Sequence, residues 1–143
     1  MGDNQIVGTW RLMSYTCADE NGKIDYPLGP NTRGYIMYTA DGYMSVSMSA
    51  GDRPNRASDD LMGGTDEEKI TEAETYISYC GTYELHNDRV IHKIEMALFP
   101  NRVGTCQTRY YKIAGDRITL TTPTIPINGS PQICTIVWGR ASA

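Results

Sequence analysis

The feature that most constrains this chain is a period-two alternation of apolar and polar residues, interrupted at short intervals by turn-forming dipeptides. Successive side chains on a strand point to opposite faces, so alternation marks extended segments with one buried side. The clearest case has Met44, Val46 and Met48 alternating with Tyr43, Ser45, Ser47 and Ser49. Extended runs are read at 6–18, 33–40, 43–49, 79–85, 90–98, 105–113, 117–122 and 132–140, eight in all. Asp41-Gly42 joins the second to the third and reads as a type I′ hairpin turn, which has positive φ at both central residues. A polar loop at 51–64 follows and is long enough to serve as a lid. Thr65-Asp66-Glu67-Glu68 then has the form of a capping box, and Ile70, Ala73, Tyr76 and Ile77 make an apolar stripe, so one helix is expected over 66–78.

Eight antiparallel strands with short connections close into an up-and-down barrel wide enough for one small ligand. A sandwich would need longer Greek-key crossovers. The expectation is therefore an all-β, eight-stranded antiparallel barrel with one short helix, forming a single domain over residues 1–143.

Charge and composition narrow the function. The net charge of −4 offers no basic surface for a phosphate backbone, so no nucleic-acid partner is expected. No apolar run approaches the roughly 20 residues that cross a bilayer, so no membrane partner is expected either. Met1 to Gln5 has neither the basic nor the apolar part of a signal peptide, and Ile6 stands where an acylation motif needs Ser or Thr. A cytoplasmic location is the expectation. The four cysteines, Cys17, Cys80, Cys106 and Cys134, lie far apart and read as reduced thiols. Two histidines exclude a histidine-rich metal site, and with no glycine-rich phosphate loop no cofactor is expected. The absence of a Gly-x-Ser-x-Gly elbow disfavours hydrolase chemistry. Ten tyrosines against a single phenylalanine suit a pocket wall, since a tyrosine puts a polar tip on an apolar body.

Gly8-Thr9-Trp10 opens the first strand, and Val137-Trp138-Gly139-Arg140 closes the last. With them stand Tyr26-Pro-Leu-Gly-Pro-Asn31, Gly34-Tyr-Ile-Met-Tyr-Thr-Ala-Asp-Gly-Tyr-Met-Ser45, Asp52-Arg-Pro54, Gly81-Thr-Tyr-Glu84, Leu98-Phe-Pro-Asn-Arg-Val-Gly104 and Gln107-Thr-Arg109. In this order, over nearly the whole chain, they resemble the small lipocalin-like domains of bacteria and fungi, within the calycin type of barrel. The resemblance implies a ligand-holding barrel, recruited in some members as a tailoring enzyme of secondary metabolism. It also implies that Trp10 plugs the closed end and that Arg140 packs across it. Arg102 departs from the pattern, which has Trp at that place.

Alternation assigns faces. Lys93 and Glu95 mark the outside of 90–98, which turns Val90, His92, Ile94 and Met96 inward. Lys112 does the same for 105–113, turning Gln107, Arg109 and Tyr111 inward. Tyr83 shares the inward face of its strand with Tyr79 and Gly81. Tyr35 and Tyr38 have opposite parity, so one faces in, and Tyr38 is the candidate. A buried guanidinium needs a carboxylate, several acceptors or an anionic ligand. Both nearby acids, Glu84 and Glu95, read as outward, so a ligand carboxylate or enolate would suit Arg109. The candidate catalytic set is His92 to move a proton, Arg109 to hold charge and Gln107 to orient a carbonyl. Tyr83, Tyr111, Tyr38, Met44 and Met96 are the candidate substrate-binding residues. The function expected is a cofactor-independent isomerase, cyclase or lyase acting on a small apolar carbonyl-bearing secondary metabolite. The alternative is a non-catalytic binder or carrier of a small lipophilic molecule. The sequence is compatible with a homodimer.

Overall fold

The computed structural model describes residues 4–142; the reading of Met1 to Asp3 lies outside them. Its strands are β1 (Gly8–Asp19), β2 (Ile24–Asp25), β3 (Thr32–Tyr38), β4 (Tyr43–Ala50), β5 (Tyr76–Leu85), β6 (Arg89–Ala97), β7 (Cys106–Ala114), β8 (Arg117–Thr121), β9 (Ile125–Ile127) and β10 (Ser130–Arg140). One helix, α1 (Asp66–Glu74), and a 3-10 turn at Pro100–Arg102 complete the elements. Neighbouring strands pair antiparallel, and β1 also pairs with β10, so the sheet closes on itself. Eight long strands form the barrel wall, while β2 and β9 are short flaps on β1 and β10. The inward faces fill the core: Trp10, Leu12, Ile36, Val46, Ile94, Ile118, Leu120, Ile136 and Trp138 are all buried.

Trp10 is fully buried at one end, its indole N–H donating to the Ile6 carbonyl at 2.8 Å. The Arg140 guanidinium lies 3.9 Å from the Trp10 ring centroid and donates to the carbonyls of Val7 and Gln5. Gly8 fits there because a Cβ at its position would stand 2.9 Å from Arg140 Nη1, at a φ of +130° that side chains disfavour. That end is closed; the other end is open.

Two bulges reset the side-chain alternation. One lies between Leu12 and Ser14, so Trp10 and Leu12 are followed inward by Tyr15 and Cys17. The other lies between Ile94 and Met96, opposite Cys80 and Gly81. Glu95 is the extra residue there, and it turns Met96 outward to 64% exposure, against the inward reading. Ala97 takes the inward place instead.

The helix is shorter than expected. Its capping box forms as read, with Glu68 N–H donating to Thr65 Oγ1 and Thr65 N–H to Glu68 Oε1. It ends at Glu74, and Tyr76, Ile77 and Ser78 pair with Ser49, Met48 and Ser47 of β4. An aromatic and a β-branched residue at the sheet edge gain more from the ladder than from a helix that buries nothing. The loop at 51–64 is pinned to this helix: Arg56 forks onto Glu72 at 2.6 and 2.7 Å and donates to the carbonyls of Leu61 and Gly63. None of its residues lines the space at the open end.

The hairpin at Asp41-Gly42 exists, but as a three-residue loop. Thr39 N–H donates to the Tyr43 carbonyl, and of Ala40 to Gly42 only Gly42 has positive φ, at +100°. The two-residue turn with both φ positive occurs instead at Asn128-Gly129, between β9 and β10. Cys17 and Cys134 form a disulfide, contrary to the reduced-thiol expectation. Barrel closure makes them direct partners on β1 and β10, which a separation of 117 residues conceals. Cys80 and Cys106 are free.

Candidate functional site

The open end is a funnel of about 710 Å³, within the range of small-molecule sites. Its rim comes from Pro27 and Leu28, the start of β5, the segment from Leu98 to Arg102, and β9. Below it lies an inner chamber of only about 40 Å³, walled by Ile36, Val46, Met48, Leu120 and Trp138 among others. Tyr15, Ile77, Tyr79, Arg102 and Ile125 line both spaces and form the neck between them. The cleft of about 220 Å³ between Arg53–Arg56 and α1 is different in kind, since the charges of Arg56 and Glu72 on its walls neutralise each other.

Arg109 is 5% exposed and lines the inner chamber. Among the described residues its guanidinium makes one hydrogen bond, from Nη1 to the Thr108 carbonyl at 2.9 Å. Arg102, half-buried at the end of the 3-10 turn, lies with its guanidinium carbon 6.0 Å from the Tyr79 ring centroid. Burial lowers the pKa of Arg102, and the neighbouring Arg109 charge lowers it further. Among the described residues neither arginine has a carboxylate within ion-pair distance; Glu84 pairs outside with Lys93, and Glu74 on the rim pairs with neither. Two adjacent cations without a counter-charge make the neck electropositive.

His92 is buried in the middle of this wall. Its Nε2 meets Tyr38 Oη at 2.7 Å and its Nδ1 meets Tyr79 Oη at 2.7 Å. Burial, then Arg109, then Arg102 push its pKa from 6.5 down to about 3, so the ring is neutral near pH 7. Both ring nitrogens are occupied, so His92 meets the chamber with its ring and not with a free nitrogen. Tyr15 stands at the neck with its hydroxyl pKa raised by burial, against the opposing pull of Arg102 and Arg109.

The expected trio is thus brought to one interior, at different depths: Arg109 and His92 at the chamber, Gln107 in the funnel, where its amide donates to Thr105 Oγ1 at 2.9 Å. The five expected substrate-binding residues lie elsewhere. Tyr83 donates to the Thr39 carbonyl and Tyr111 to the His86 carbonyl, both at 2.7 Å and both away from the open end. Met44 is core beside Gly81, Tyr38 reaches the site only through His92, and Met96 points outside. Tyr15, Tyr79 and Arg102 were missed. For Tyr79 the inward parity was available, for Tyr15 the bulge at Met13 inverted it, and for Arg102 the departure at a loop position was the signal.

A lipocalin-like domain model matches residues 7–141. The chain belongs to the lipocalin-like domain family. This lipocalin-like domain is also similar to the 4'-hydroxy-3'-methoxypropiophenone carrier protein of Aspergillus oryzae, with 32% identity over 106 residues. That match covers 68% of this chain and 96% of the relative. Among the described residues no helix is long and apolar enough to cross a membrane.

Proposed function

We propose that this lipocalin-like domain binds and carries a small, mostly apolar secondary metabolite bearing electron-rich oxygen, of the aryl ketone type for which its relative is named. The observation that carries this reading is the pair Arg102, at the neck of an apolar funnel, and Arg109, in the chamber below it, neither with a carboxylate in ion-pair distance among the described residues. A buried guanidinium without a carboxylate is costly, and a ligand carbonyl, phenolate or carboxylate relieves that cost on binding. The aromatic and aliphatic rim holds the rest of the molecule, Gln107 offers it an amide, and Trp138 on the chamber wall has an indole N–H with no acceptor among the described residues. Within this reading the protein works in the cytoplasm, with the Cys17–Cys134 bridge shielded from cellular thiols by the burial of both cysteines.

Isothermal titration with 4'-hydroxy-3'-methoxypropiophenone tests the reading. Wild type is expected to bind it, and Arg109→Met to bind at least about tenfold more weakly, as for a lost hydrogen bond to a charged group. Equal affinity of the two proteins would remove Arg109 from the site. Mass spectrometry of the recovered molecule separates carriage from chemistry: unchanged ligand is the carrier result.

The second reading is a cofactor-independent isomerase, cyclase or lyase. It is favoured by a hydroxyl, Tyr79, at the neck with Arg102 beside its ring and Arg109 in the chamber below, an arrangement able to stabilise charge developing on a carbonyl oxygen. In that case the recovered molecule would be a product, and His92 would act through its tyrosines.

A further inference from the structure

The contacts of His92 allow its hydrogens to be counted. Tyr38 and Tyr79 each bring one hydroxyl hydrogen, and a neutral imidazole brings one N–H. That makes three hydrogens for two contacts, Tyr38 Oη with Nε2 and Tyr79 Oη with Nδ1, so one hydrogen is left over.

There are two ways to place it. If Nε2 carries the proton, it donates to Tyr38, Tyr79 donates to Nδ1, and the spare hydrogen sits on Tyr38. If Nδ1 carries the proton, it donates to Tyr79, Tyr38 donates to Nε2, and the spare hydrogen sits on Tyr79. Tyr38 is 2% exposed, and its hydroxyl has no other acceptor among the described residues. A buried hydroxyl left without an acceptor disfavours that arrangement by roughly tenfold or more in population. Tyr79 lines both the funnel and the chamber, where a bound molecule or water can accept.

We propose that Tyr79 is the hydrogen-bond donor of the neck, its hydroxyl hydrogen aimed at an acceptor oxygen of the ligand and held there by His92 and Tyr38 as positioning residues. The relay runs one way, from Tyr38 to His92 to Tyr79 to the ligand. A hydroxyl that accepts a hydrogen bond donates a stronger one, so the two buried residues sharpen the third. With Arg102 beside the Tyr79 ring and Arg109 below, the neck is electropositive and its cationic side chains can only donate. It takes a carbonyl, phenolate or carboxylate, and it refuses an ammonium group. The proposal deepens the carrier reading and rests on it for the place of the ligand, though not for the direction of the relay.

Two measurements test it. The first needs no ligand: long-range proton–nitrogen NMR of the uniformly 15N-labelled protein, with His86→Gln used to assign the signals. His92 is expected as the Nδ1-protonated neutral tautomer; the Nε2-protonated form would overturn the proposal. The second compares binding of 4'-hydroxy-3'-methoxypropiophenone by Tyr79→Phe and Tyr38→Phe. Tyr79→Phe is expected to lose about five- to tenfold in affinity. Tyr38→Phe removes no donor from the neck and is expected to lose less than about twofold. A purely structural triad would make the two variants alike, and equal losses would refute the donor role. If wild type does not bind the probe, the ligand reading fails, while the tautomer still decides the relay. The tautomer also decides it if Tyr38→Phe does not fold.

Discussion

Arg109 and His92 solve one problem in opposite ways. Each is a buried side chain deep in a barrel: the guanidinium has no carboxylate within ion-pair distance among the described residues, whereas the imidazole gives its charge up. His92 therefore ties stability to pH. Its pKa is about 3 in the folded protein and near 6.5 when unfolded, so below pH 6.5 the unfolded chain takes up a proton that the folded one refuses. The stability of neutral His92 is complete above about 6.5 and is lost as the pH falls toward 3, by about 1.4 kcal/mol per pH unit. Urea unfolding at pH 7.5 and 5.5 checks this. The drop in stability between the two should be smaller in His92→Gln by about 1 kcal/mol, and an equal drop would mean that the imidazole charges in place. Parity alone turned His92, Gln107 and Arg109 inward, because the charged residues Lys93 and Lys112 fix the outer faces. Depth along the strand was not legible. Alternation says which side a residue faces and nothing of which end it serves, which is why Tyr83 and Tyr111 face inward far from the funnel.

Elements obeyed local chemistry wherever no bulge or closure intervened. All eight long strands were legible, as was the capping box, because period two and Thr65 with Glu68 are short-range signals. The bulges at Met13 and Glu95 were not, since an extra residue is defined only by its partner strand. Gly81 shows how tight that partnership is: a Cβ there would come within 1.9 Å of the Lys93 carbonyl oxygen. This is backbone on backbone, with no flexible side chain to yield. Gly81→Ala is expected to destabilise by more than about 3 kcal/mol, read as a fall in the urea midpoint; a change under about 0.5 kcal/mol would mean that the β5–β6 ladder shifts freely. The helix end was misread for a similar reason. Ile77 fits a helical stripe and a strand equally well in sequence, and only β4 beside it decides. The turn at Asn128-Gly129 was available as a strong hairpin signal and would have revealed β9.

The whole molecule depends on a seam. β1 and β10 meet along almost their full lengths, from Trp10 opposite Arg140 to Asp19 opposite Gln132, and the Cys17–Cys134 bridge crosses that seam near the open end. No sequence spacing could show this, because the pairing exists only once the barrel has closed. Constraining a loop of this length in the unfolded chain is worth roughly 2–5 kcal/mol. Reduction should lower the stability by that amount, measured by denaturation with and without dithiothreitol. Iodoacetamide should label Cys80 and Cys106 in the unreduced, unfolded chain and all four cysteines only after reduction. The bridge also changes the topology of the polypeptide. Everything from Cys17 to Cys134 is a covalent ring, and the pinned loop at 51–64 is one of its outward arcs. A cut in that arc opens the ring without dividing the molecule, so the protein can be given new ends there and still be one piece.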